Sequence, residues 1–361
     1  MQRRLRTTVR AGLLCLTLTA TGAVTAETGA TPASADSHGA AFAANVLFSD
    51  QTQGVNDPNV VNAWGLSIGP TTALWVADNG TDVSTIHRGG GSAGAPAVVP
   101  LVVSVPTGAP TGTVFSGGSA FVIPADGQPA RFLFDTEHGD VSAWNGALTP
   151  NTAAVTVFHS PTAVYKGLAL ASTPFGPALL AANFHDNSID ILDGQFNETP
   201  APAPLFRDPF LPRGYAPFNV QTLGTHVYVA YAKQDADRTD EVAGRGRGFV
   251  DEYTTTGLLV RRVASRGPLN APWGLAIAPS TFGPFAGALL VGNFGDGTIN
   301  AYGPHGFMGT LRGADHRPLV VDGLWALQAG NATAGGADSL WFSAGPEDES
   351  HGQVGLLQPA S

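Results

Sequence analysis

Short apolar runs recur along this chain at near-regular intervals, each broken by glycine, proline, asparagine or aspartate. The stretch 271–303 (APWGLAIAPSTFGPFAGALLVGNFGDGTINAYG) shows the pattern most clearly. Two apolar segments, 273–278 and 288–293, flank a bend rich in Pro, Gly, Ser and Thr. A third, 298–302, follows the tight turn at Gly295-Asp296-Gly297. Segments of this length and punctuation predict an antiparallel meander. The run Ala-Leu-Leu-Val-Gly is apolar at consecutive positions, so it must be covered on both faces, as it is where sheets stack.

Variants of the unit appear at 62–68 with 73–79, at 166–171 with 178–184 and 188–193, at 218–223 with 226–232, and at 323–328 with 339–344. A weaker copy spans 112–117 and 130–144, which makes six. The matched glycines Gly65, Gly167 and Gly274 are separated by room for two units each, and a period of about fifty residues with three or four strands is the mark of a propeller blade. The pattern therefore predicts an all-β, six-bladed β-propeller. The last unit ends on a single strand at 353–357, and a stray strand at 45–48 precedes the first. The N-terminal strand is expected to complete the last blade and close the ring, leaving no long exposed edge.

The first 35 residues read differently. Arg3, Arg4, Arg6 and Arg10 precede a short apolar core at 11–26, and small-residue sites follow at Ala26 and Ala35. This reads as a secretory signal peptide, with residues 36–361 as one propeller domain and a secreted, extracellular location. The only cysteine, Cys15, lies in that signal, so the mature chain is expected to hold no disulfide. Cleavage after Ala35 removes four arginines and Glu27, taking the formal charge from −10 to −13. With Lys166 and Lys233 the only lysines, a nucleic-acid partner is not expected, because phosphate binding needs a basic face. No later stretch is long and apolar enough to span a membrane.

Several segments carry a likeness: NAWGL at 62–66, FHDNSIDILDG at 184–194, FRDPFLPRGYAPFNVQ at 206–221, YAKQDADRTDEVAGRGRGFVDEY at 231–253, LNAPWGLAIAP at 269–279, LLVGNFGDGTINAY at 289–302 and DGLWALQAGN at 322–331. On these segments the chain resembles an uncharacterised family of secreted six-bladed propellers found mostly in bacteria, some of which end in a PEP-CTERM sorting tail. More distantly it is similar to NHL-repeat and gluconolactonase/SMP-30 propellers. The likeness covers essentially the whole mature chain. It implies the fold and carries no assigned activity with it. Residues 356–361 show no PEP-CTERM pattern.

In an up-and-down blade, the start of the first strand and the turn after the second lie on one face of the ring. Six such turns (78–82, 135–140, 183–187, 231–235, 293–297, 345–351) each contain a carboxylate. One reading makes Asp78, Asp135, Asn183, Asp186, Asn293 and Asp296 a ring of oxygen donors at the channel mouth, a set that suits Ca²⁺. In the SMP-30 propellers that the chain distantly resembles, such a metal polarises a lactone or ester carbonyl. The other reading is turn chemistry, since Asp-Gly and Asn-Gly are what tight turns require. Trp64, Trp273 and Trp325 occupy matched first-strand positions and would either stack on a ligand or pack between blades. Two long segments, 196–217 and 233–248, read as insertions flanking the fourth blade, where function on a rigid scaffold often sits. They and the adjoining strand end offer Tyr215, Tyr231 and Lys233 as further ligand-binding candidates. The sequence thus supports a non-catalytic extracellular module for a small-molecule, carbohydrate or protein ligand. The alternative is a metal-dependent, Ca-type hydrolase or lactonase.

Overall fold

The computed structural model describes residues 40–199 and 205–360; the segment read as an export signal, 1–35, lies outside them. Six small antiparallel sheets stand in a ring, a six-bladed β-propeller. Blade 1 runs Ala63–Ser67, Leu74–Asp78, Val83–Arg88 and Ala97–Val98, with Val103–Ser104 also pairing its third strand. Blade 2 comprises Pro110–Phe115, Phe132–Thr136, Asp140–Trp144 and Val155–His159; blade 3 comprises Tyr165–Thr173, Gly176–Asn183, Ser188–Leu192 and Glu198–Thr199. Blade 4 holds Tyr215–Leu223, His226–Lys233, Gly248–Thr254 and Leu259–Ser265; blade 5 holds Pro272–Ile277, Leu289–Asn293, Ile299–Gly303 and Gly306–Thr310.

Blade 6 contributes Leu324–Ala329, Leu340–Ala344 and Gln353–Pro359, and takes Phe42–Ser49 as its fourth strand. The register runs antiparallel from Phe42 opposite Pro359 to Ser49 opposite Gln353. The ring is thus closed by the N-terminal strand, as the repeat pattern implies. Phe48, fully buried, packs its ring 4.2 Å from that of His87 in blade 1, so the closing strand is also tied across the seam.

The second strands are buried at every position in blades 1, 2, 5 and 6. This is why their sequences are continuously apolar: each lies between neighbouring blades. Each inner strand also carries a register shift near its start: Ala63/Leu66, Pro110/Thr113, Tyr165/Leu168, Pro217/Asn219, Pro272/Gly274 and Leu324/Leu327. A bulge bends the strand and re-aims the side chain it carries. Six bulges at one level aim Trp64, Thr111, Lys166, Phe218, Trp273 and Trp325 around the channel. The glycine that follows several of these residues serves close approach. A Cβ on Gly65 would strike Thr111 O in blade 2, and one on Gly167 would strike the Asn219 side chain in blade 4.

Two sequence expectations change. The segment 196–217 is an insertion only in part, because Glu198–Thr199 is the outer strand of blade 3 and Tyr215 opens the inner strand of blade 4. In blade 2 the register places Thr136 opposite Pro110, as Asp78 lies opposite Ala63. Asp135 is therefore one residue out of phase with Asp78 and points to the other side of its sheet.

Candidate functional site

Five of the six side chains aimed by the bulges are the expected kind, apolar or small. Lys166 is the exception. It occupies the level of Trp64, Trp273 and Trp325, and it is only 1% exposed. The tryptophans fill the channel: Trp64 and Trp325 stack at 3.7 Å, Phe294 stacks on Trp325 at 3.9 Å, and Trp273 meets both edge-on. They are 3%, 4% and 1% exposed for Trp64, Trp273 and Trp325. Trp273 Nε1 donates to Lys166 O at 2.8 Å, and Trp325 Nε1 donates to Asn62 Oδ1 at 2.9 Å. Below this plug the channel narrows to a cavity of about 10 Å³, room for about one water.

Lys166 Nζ lies 5.2 Å from the Trp64 ring centre and pairs with Glu137 from the blade 2 turn and with Asp240 at 3.2 Å. Asp240 comes from the second insertion, which turns back over the ring: Gln234 Nε2 donates to Phe184 O at 2.6 Å, and Val242 N donates to Lys233 O at 2.7 Å. Glu349, from the last turn, accepts from Asn62 Nδ2 at 2.6 Å. Asn62 also donates to Asn79, which donates to Glu137 at 3.2 Å. Burial works against the Lys166 charge, but Glu137, Asp240 and Glu241 outweigh it and raise its pKa. Burial pushes Glu241 up to about 7 and raises Glu349, helped by the neighbouring Glu137. One lysine thus faces four carboxylates gathered from blades 2, 4 and 6, and Asp240 is 69% exposed to solvent. Perturbed titratable groups gathered from several blades mark a candidate site.

The sequence-predicted donors lie elsewhere. Asp78 Oδ2 accepts from Thr85 N at 2.9 Å, and burial raises its pKa well above the usual carboxylate range. Asp135 Oδ1 accepts from Thr111 Oγ1 at 2.9 Å and Gly112 N at 2.6 Å, bracing the blade 2 inner strand; burial pushes it up to about 7. Asn183 and Asp186 are brought together, with Asn183 Nδ2 donating to Asp186 at 3.1 Å and to Asp190 at 2.9 Å. Asn293 and Asp296 are also together, with Asn293 Nδ2 donating to Pro268 O at 2.8 Å and to Asp296 at 3.2 Å. By their hydrogen bonds these six donors fall into four separate networks. Among the described residues, no group of three or more His, Cys, Asp or Glu side chains is arranged to hold a metal ion.

Tyr215 and Lys233 face each other across the first two strands of blade 4, with Lys233 Nζ 5.5 Å from the tyrosine ring centre. Tyr231 turns away from the channel to share a 2.6 Å hydrogen bond with Tyr253. None of the three joins the tryptophan cluster. Glu137, Lys166, Asp240, Glu241 and Glu349 escape a reading by turns alone, because their meeting depends on how the blades are arranged. The available signal was a lone lysine in a column of tryptophans.

Fold and site define a six-bladed propeller with a plugged channel and an acidic mouth. The chain belongs to the family of the uncharacterized protein L690 of Acanthamoeba polyphaga mimivirus. The two are 32% identical over 317 residues, 83% of this chain and 81% of that protein. No family model matches the chain. Among solved structures, the virginiamycin B lyase of Staphylococcus aureus is similar at a TM-score of 0.51 and 12% identity, over 88% of this chain and 99% of that one. A gluconolactonase of Xanthomonas campestris aligns at 0.41 and 16% identity, over 64% of this chain and 73% of that one. At 12% identity the likeness to the lyase shows the fold alone. No helix among the described residues is long and apolar enough to cross a membrane.

Proposed function

We propose that this chain is a non-catalytic, exported binding module that receives a small ligand bearing an ammonium group at the acidic mouth above Lys166. The observation that carries this reading is the imbalance of four carboxylates around one lysine, with Asp240 open to solvent. A second cation, brought by a ligand, relieves the repulsion among carboxylates that Lys166 alone does not neutralise. The basic, then apolar start of the chain supports export. The alternative, a Ca-type hydrolase or lactonase, requires ligands converging on one ion and a base beside an open position. The separate engagement of Asp78, Asp135, Asn183 and Asn293 argues for the binding reading.

The test is a fluorescence titration with an alkyl diamine, with the isosteric diol as control. The tryptophans directly beneath Lys166 are the reporters. The reading predicts a saturable change for the diamine alone, weakened about tenfold in Asp240→Asn/Glu349→Gln, the loss of one or two charge-assisted contacts. Equal responses to diamine and diol, or none, would contradict it.

A further inference from the structure

The opposite mouth of the channel differs from the acidic one in every chemical respect. Past the narrow waist the channel opens into a cavity of about 240 Å³ lined by the far ends of the inner strands of blades 1, 2, 3, 4 and 6. Not one lining residue is ionisable. The polar lining consists of hydroxyls and amides, including Ser67, Thr113, Gln221 and Gln328, and the apolar part includes Leu66 and Leu170.

These polar groups are short of partners. Thr113 is 4% exposed and its Oγ1 has no hydrogen-bond partner, although the residue lines both the cavity and the waist above it. Among the described residues, none hydrogen-bonds the Gln221 side chain, which also lines both spaces. The Gln328 amide donates only to the adjacent Ala329 O, at 3.1 Å, leaving its oxygen free. A buried polar atom without a partner costs about 1–3 kcal/mol; Thr113 Oγ1 carries that cost, and the half-buried Gln221 and Gln328 amides line the same space with hydrogen-bonding capacity to spare.

From this we infer a second binding site, at the uncharged mouth, for a neutral polyhydroxylated ligand of the size of one sugar ring. The absence of charge in the lining disfavours ammonium, carboxylate or phosphate groups, whose desolvation would go uncompensated. The mix of alternating hydroxyl and amide partners with aliphatic side chains matches the two faces of a sugar, one polar and one of C–H groups. The volume lies just under the range of roughly 300–1,000 Å³ usual for drug-sized ligands, which limits the occupant to about one ring. Because the waist separates the mouths, this site is independent of the acidic one.

The test is ligand-observed NMR and calorimetry on the full chain with a panel of neutral monosaccharides and their methyl glycosides. A dipeptide amide of similar size serves as control. Thr113→Val and Gln221→Leu are the variants, with Asp240→Asn as a control at the other mouth. Removing an unpartnered hydroxyl leaves no orphan behind, so Thr113→Val is expected to fold normally. The inference predicts saturable binding of at least one monosaccharide, weakened about fivefold by Thr113→Val and about tenfold by Gln221→Leu, and unchanged by Asp240→Asn. No sugar bound at millimolar concentration, binding indifferent to both variants, or binding of the dipeptide amide alone would overturn it.

Discussion

Asp135→Asn separates the structural role of the turn-face carboxylates from a ligating one. Asp135 is fully buried and its Oδ2 has no partner, while Oδ1 accepts from Thr111 and Gly112. Burial is the leading cause of its rise from 3.8 to about 7, and the hydrogen bonds only moderate it. The folded state therefore holds a proton that the unfolded chain releases above pH 3.8. Its contribution to stability is full below the unfolded pKa and is lost as pH rises through the folded one. At about 1.4 kcal/mol per unit, the three-unit rise amounts to about 4 kcal/mol between the acidic and alkaline limits. Asparagine keeps the two accepted bonds and never ionises. Its Nδ2 replaces an unpartnered oxygen, which costs about 1–3 kcal/mol at any pH. Urea unfolding at pH 5 and pH 8 reads the outcome. Relative to the unsubstituted chain, the variant is expected to gain about 2–3 kcal/mol on going from pH 5 to pH 8. A variant whose deficit is the same at both pH values, or larger at pH 8, would refute the reasoning. The carboxylate would then be ionised in the fold, as a cation ligand must be.

Three other outcomes follow from the same geometry. Lys166→Met leaves Glu137, Asp240, Glu241 and Glu349 without their cation and is expected to lower stability by about 3–5 kcal/mol at pH 8. Thermal melts should show a smaller loss near pH 5, where Glu241 is protonated. Phe48→Ala empties a fully buried position at the closing seam, beside His87 and Trp341, at a cost of about 3–5 kcal/mol in chemical denaturation. His87 is fully buried against Asp57 at 3.1 Å, and burial lowers its pKa below 6.5, so its contribution is present above that value and lost as pH falls through the folded one. The deficit of His87→Gln, measured in urea, should accordingly shrink from pH 7.5 to pH 5.5.

The fold was legible because each blade repeats one local problem: an inner strand that passes its neighbour closely and a second strand covered on both faces. Gly65 and Gly167 record the first, and runs such as 288–292 record the second. Ring closure was legible from unpaired strands at the two ends of the repeats. Blade 3's outer strand was not, because Glu198–Thr199 is two exposed residues inside a proline-rich stretch. The site was legible only as a face. Asp and Asn recur in its turns for reasons of backbone geometry, and this masked the carboxylates that do converge. Glu137 and Glu349 belong to turns read as one class with Asp78 and Asp296, and Asp240 sits in a segment with no repeat to align it. Their meeting at Lys166 depends on how blades 2, 4 and 6 are set around the channel, which no spacing along the chain encodes.

The most direct measurement is a side-by-side calorimetric titration of metal-free protein with an alkyl diamine and with calcium. One saturable diamine site is expected, weakened about tenfold in Asp240→Asn/Glu349→Gln, with no stoichiometric calcium heat. Stoichiometric calcium binding that raises the melting temperature, with no diamine heat, would contradict it and make the hydrolase reading the one to pursue.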